Sequence, residues 1–242
     1  MAKSFGSKLD EAIGNAIERA IFKKFVQEFG AAVVSEKVKD GYGNSHQIDL
    51  VIKDQKGQPV ILMESKYLRY TKHNWDKGSR LCIAHYLLRK SIKTIRKSIA
   101  ILAGNWTDNS IEFIKSMGIE VYRVPFEKIS EVLTKYGIDS EWEEKDDLKP
   151  KKAWNDFEKL TEEEKNAIGP SLIEGIEPEI RKSVMEVLSG DFSKPRGISE
   201  IELSIRTSYN EFITIQFETV NDVLKYLIDL QSDKEDITDK WE

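Results

Sequence analysis

Three charged residues interrupt two otherwise apolar stretches. Asp49 stands in Gln47-Ile48-Asp49-Leu50-Val51-Ile52, and Glu64 and Lys66 close Val60-Ile61-Leu62-Met63-Glu64-Ser65-Lys66. Charged side chains seldom enter a buried strand unless they are paired or hold a metal. Two carboxylates on neighbouring strands can hold a hard divalent cation through oxygen. A lysine beside them can position a water or offset charge on a phosphate.

The elements that must position these groups are a pair of strands. Both stretches are rich in β-branched and apolar residues, and Asp54-Gln55-Lys56-Gly57-Gln58-Pro59 between them has turn chemistry, so residues 47–66 are expected to form a β-hairpin. Side chains alternate along a strand, which puts Glu64 and Lys66 on one face and Ile61 and Met63 on the other. The competing reading is an edge hairpin with its charges in solvent. Val60-Ile61-Leu62-Met63 is apolar on both faces, which edge strands seldom are.

Asp49, a spacer of 14 residues and then Glu64-Ser65-Lys66 resembles the D…ExK signature of the PD-(D/E)xK nuclease superfamily, which includes restriction endonucleases and archaeal Holliday-junction resolvases. The resemblance covers roughly residues 7–136. Ile48 stands where a proline often precedes the aspartate. The resemblance implies that Asp49 and Glu64 ligate Mg2+, with Mn2+ able to substitute and the backbone carbonyl of Ser65 as a third oxygen. It implies that Lys66 orients or helps deprotonate the attacking water and stabilises charge on the phosphorane. A glutamate of the first helix reaches the metal site in many family members. Glu18 matches that place better than Glu11, and a rim pairing of Glu18 with Lys or Arg is the alternative.

The flanking sequence supplies more elements. Ser7 is expected to cap a helix running to Phe29, with Gly30 as its stop and Ile13, Ile17, Ile21, Phe22 and Phe25 on its apolar face. Residues 31–38 read as a strand. A helix over 76–97, a buried strand over 98–104, a short helix capped by Asp108, a strand over 119–124 and a helix over 126–136 follow. Strand–helix–strand alternation after Lys66 calls for parallel neighbours. The expected fold is α/β: a restriction-endonuclease-like mixed β-sheet flanked by helices, with a smaller acidic α+β domain at the C-terminus. The nuclease core is expected over 1–138, a charged linker over 139–151 and the accessory domain over 152–242. In that last part Gly169-Pro170 is expected to break a helix, and a hairpin is expected around Tyr209-Asn210.

Charge distribution says more about partners than the net of −5 does. Residues 66–105 carry ten basic residues against Asp76 alone, a net of +9, whereas residues 150–242 carry 12 basic and 21 acidic residues, a net of −9. A basic block beside a candidate metal site is where a phosphate backbone would lie. Tyr67-Leu68-Arg69-Tyr70-Thr71-Lys72-His73-Asn74-Trp75 mixes aromatic and basic residues, which suits phosphate contacts and stacking. Arg69, Lys72, Lys77 and Arg80 are therefore the candidate nucleic-acid contacts. An ordinary strand-to-helix connection with Trp75 packed inward is the plainer alternative, and His85 reads as a structural histidine. The single cysteine, Cys82, excludes an internal disulfide and a zinc cluster. With no run of about 20 apolar residues and no signal-like N-terminus, a cytoplasmic protein without a membrane partner is expected.

The resemblance, together with these features, implies a Mg2+-dependent endonuclease that hydrolyses phosphodiester bonds of double-stranded DNA. Within the superfamily a type II restriction endonuclease acting as a homodimer is favoured, by analogy with members whose extra mass serves recognition or dimerisation. The alternatives are a Holliday-junction resolvase or repair nuclease that reads DNA shape, and a non-catalytic DNA-binding module on the same fold.

Overall fold

The computed structural model describes residues 4–29, 32–189 and 197–232. The chain divides into two compact units, one ending at Gly190 and the other starting at Asp191.

In the first unit the order is α1 (Phe5–Phe29), β1 (Ala32–Lys39), β2 (Ser45–Lys53), β3 (Pro59–Leu68), α2 (Asn74–Ser91), β4 (Lys97–Gly104), α3 (Asp108–Ser116), β5 (Glu120–Pro125), α4 (Phe126–Thr134), α5 (Leu148–Glu158), α6 (Glu162–Ile173) and α7 (Glu177–Leu188). The five strands form one sheet in the order β1-β2-β3-β4-β5. β1–β2 and β2–β3 are antiparallel, while β3–β4 and β4–β5 are parallel, each across a helical crossover. This is a mixed sheet flanked by helices, an α/β architecture. β3 is central and buried along most of its length, so its charges do not lie on an edge hairpin.

The alternating side chains of the sheet feed different cores. Leu50, Ile52, Ile61, Met63, Ile99 and Ile101 meet α1, α4 and α5–α7 on one face. On the other, Leu68, Ala100 and Leu102 pack with Leu81 and Cys82 of α2 and Ile111 of α3, and Leu62 with Leu88. Strand alternation therefore decides which helix each sheet residue meets.

Several expected boundaries move. The first helix starts at Phe5, ahead of Ser7. α2 stops at Ser91, where Ile92 turns extended. The Thr107 side chain, not Asp108, caps α3. Gly169-Pro170 does not break α6, because the helix packs so closely on α1 that a Cβ at 169 would stand 2.2 Å from the Ala16 carbonyl oxygen. Pro170 removes one helical hydrogen bond, and burial of Ile168, Leu172 and Ile173 outweighs that loss. The helix starts instead at a capping box between Thr161 and Glu164.

The domain boundary is the larger correction. Residues 139–151 are not a linker: Ser140 is buried, and Arg69 donates to its carbonyl oxygen at 2.7 Å. Ala153, Phe157, Ile168, Leu172, Ile180 and Val184 belong to the same core as the sheet and α1. The accessory unit is therefore not 152–242 but the much shorter piece after Gly190. Its described part is a hairpin of β6 (Ile201–Arg206) and β7 (Phe212–Phe217), turning at a left-handed Asn210, followed by α8 (Val220–Ser232). Alternation leaves Leu203, Ile205, Ile213 and Ile215 half-buried.

Candidate active site

The site forms where two strands part. β2 pairs with β3 from Leu50↔Met63 to Lys53↔Pro59 and no further along β3, whereas β3 stays paired with β4 through Leu68. Beyond Met63 the edge of β3 toward β2 loses its ladder, and a buried main-chain N–H needs another acceptor. Asp49 supplies it: Oδ2 accepts from Ser65 N at 2.9 Å. In a strand the N–H and C=O of one residue leave by the same edge, so the Ser65 carbonyl also faces this gap.

The three charges converge there. Lys66 Nζ lies 3.0 Å from Asp49 Oδ2 and 2.6 Å from Glu64 Oε2. Burial alone would push Lys66 down, but the charges of Glu64 and Asp49 hold it above its ordinary value, so it stays an ammonium. Burial would push Glu64 up, yet the hydrogen bond from His85 and the charge of Lys66 hold it below the usual range. His85, on the inward face of α2, places Nε2 3.2 Å from Glu64 Oε1.

Glu18 of α1 belongs to the same field. Burial, then the Asp49 and Glu64 carboxylates, raise it to about 7, with Lys66 opposing. A rim pairing of Glu18 with Lys or Arg is therefore not what dominates its surroundings. Beside it a hollow of about 430 Å³ opens between α1 and the end of β3, lined by residues that include Asp10, Asn15, Glu18, Tyr67, Tyr70 and Lys77.

The four basic candidates separate. Arg69 is buried and its role is structural: Nε donates to Asp10 Oδ1 at 2.7 Å, Nη1 to Ser140 O, and its guanidinium lies 3.9 Å from the Trp142 ring centroid. A guanidinium so enclosed has no face left for a phosphate, which removes Arg69 from the nucleic-acid set. Lys77 Nζ donates to Tyr67 O at 3.0 Å and lines the hollow, where partial burial and the Lys66 charge lower it. Lys72 is half-exposed and pairs with Glu144. Arg80 is the most open, its side chain 80% exposed beside Asp76. Trp75 is exposed rather than packed inward, with its ring resting on Phe113.

His85 is the residue that sequence reasoning set aside. Its place between Leu81 and Leu88 on the buried face of α2 was readable from helical spacing, since it falls four residues after one and three before the other. His46, in contrast, is engaged elsewhere, with Asp40.

Among the described residues no three His, Cys, Asp or Glu side chains are grouped as a metal-holding set. Magnesium does not require one, because it keeps several waters and binds through one or two carboxylates. Asp49 and Glu64 already aim oxygens at one cation, the Lys66 ammonium. With the Ser65 carbonyl they are an all-oxygen set of the type a hard cation takes.

No family model matches the sequence, and no curated protein matches it. Among solved structures the chain is similar to one titled "Crystal Structure of Protein of Unknown Function AF1548", at 12% identity and a TM-score of 0.35, over 73% of this chain and 99% of that one. A likeness at that score defines neither the fold type nor an activity. Among the described residues no helix is long and apolar enough to cross a membrane.

Proposed function

We propose that the protein is a divalent-metal-dependent endonuclease that hydrolyses phosphodiester bonds of DNA, with Asp49, Glu64 and Lys66 at its centre. The observation that carries this reading is the convergence of two carboxylates from diverging strands on one cation, beside a glutamate held near neutrality. Two carboxylates face one ammonium, and Glu18, when ionised, adds negative charge to the same field. That excess negative charge favours a divalent cation.

Asp49, Glu64 and the Ser65 carbonyl would hold Mg2+ or Mn2+. When bound, the metal supplies Lewis-acid stabilisation of the phosphate and activation of water. Lys66, kept charged by its carboxylates, stabilises negative charge building on the phosphate rather than acting as a base. Glu18, whose proton is held to about pH 7, would accept a proton or complete the shell. Lys72, Lys77 and Arg80 supply positive charge along α2 and the turn before it.

The restriction-endonuclease reading leans on a separate accessory domain, and that region is short once α5–α7 are counted with the sheet. A resolvase or repair nuclease that reads DNA shape is thereby strengthened as the second reading. Incubating the whole protein with supercoiled plasmid and with branched DNA, in Mg2+ and then in excess EDTA, tests both. Metal-dependent cutting of plasmid at fixed sites supports restriction, and preference for branched DNA supports the second reading. No cutting of either substrate, or cutting undiminished in EDTA, counts against the whole reading.

A further inference from the structure

His85 lies on the inward face of α2 with Leu81, Cys82 and Leu88 and has no exposed surface. A polar ring at that depth costs stability unless its nitrogens are used. One is used: Nε2 lies 3.2 Å from Glu64 Oε1. An ionised carboxylate only accepts hydrogen bonds, so Nε2 carries the proton. Nδ1 is buried without a partner. A leucine would fill the same helix position and avoid that cost. The bond to Glu64 is thus what the ring contributes that packing does not.

We propose that His85 is a positioning residue: it pins Glu64 through Oε1, so that Oε2 is presented with Asp49 toward a divalent cation. The terminal torsion of a glutamate is broad, and a carboxylate held at one point can swing. Here it is held at two, by His85 on Oε1 and by Lys66 on Oε2. Only the second hold can be exchanged for a metal, because the first is sealed beneath α2. The inference rests on the nuclease reading for the use of the cation.

The test is Mn2+ binding to the full chain, followed by the paramagnetic resonance signal of free Mn2+. Wild type should bind. His85→Leu, which keeps the volume and loses the donor, should bind at least about tenfold more weakly, the usual loss when a partner of a metal ligand is removed. His85→Gln, which keeps a side-chain N–H, should recover most of the affinity. In a Glu64→Ala background, which removes the acceptor, His85→Leu should cause no further loss. Thermal unfolding of each variant checks that it is folded. Equal Mn2+ affinity in wild type and His85→Leu overturns the proposal, as does a loss that His85→Gln fails to restore or that persists undiminished in the Glu64→Ala background. If wild type binds no Mn2+, the proposal falls as well. If Mn2+ binding follows the expected pattern but no DNA is cut, the positioning role stands and the nuclease reading falls.

Discussion

Lys66 and Arg69 lie three residues apart at the end of β3 and its exit, and both are cations paired with acidic side chains. Their surroundings differ in kind. Arg69 is enclosed by Asp10, the Ser140 carbonyl and the Trp142 ring, which tie the end of the sheet to α1 and to the segment before α5. Lys66 shares two carboxylates in the gap between strands, which carry more negative charge than it balances, and their field reaches Glu18. One cation closes a structure. The other holds a place that a stronger cation can take.

Substitution should separate the two most sharply. Arg69→Ala should destabilise the fold by about 3 kcal/mol, the low end for a broken buried pair. The low end applies because burial already pushes Asp10 up, so it can take a proton once its partner is gone. Cutting per folded molecule should be unchanged. Lys66→Met should lower the cutting rate per folded molecule by at least about a hundredfold, beyond any fall in unfolding midpoint from unpairing Asp49 and Glu64. Denaturant titration and single-turnover cutting of both variants check the contrast. If both lose activity in proportion to stability, the distinction is void.

A smaller effect should appear with pH. Folded Glu18 keeps its proton up to about pH 7, against an ordinary value of 4.5. The folded state therefore binds more protons between those values, and stability falls as pH rises through that window. Glu18→Gln removes this loss. With chelator present, the variant's unfolding midpoint should pull ahead of wild type from about pH 5 to about pH 8, and Mg2+ should narrow the gap. A midpoint difference independent of pH would place Glu18 outside the Asp49–Glu64 field.

The smallest effect concerns the surface cations. Lys72, Lys77 and Arg80 changed together to Gln should, if all three touch phosphate, flatten the slope of log K against log salt for duplex DNA by roughly two to three, at about 0.9 per contact. The same change at Lys159, Lys165 and Lys225 should hardly alter it. A larger response from the second set would move the DNA footprint away from α2.

Strand patterning made the hairpin and the shared face of Glu64 and Lys66 legible, because alternation and turn residues act locally. The same was true of the short hairpin turning at Asn210. What stayed illegible depended on distant partners. The run Tyr67–Trp75 shows which residues are basic but not where each points, and Arg69 is turned inward by Asp10 and Trp142, residues far from it in sequence. The charged composition of 139–151 hides the packing of Ser140, and Gly169-Pro170 signals a break only when the contact with Ala16 is unknown. His85 was overlooked because a lone histidine on an apolar stripe acquires meaning only from the strand residue opposite.

Cutting of supercoiled plasmid and branched DNA by wild type and Asp49→Ala, with DNA binding measured alongside, tests the central claim most directly. Asp49 supplies one of the two carboxylates and also the acceptor for Ser65 N. Wild type should cut in Mg2+ and stop in EDTA. Asp49→Ala should fall by at least about a hundredfold while its DNA binding is kept or strengthened, since a carboxylate that repels phosphate is gone. Near wild-type cutting by Asp49→Ala would contradict the assignment of this site.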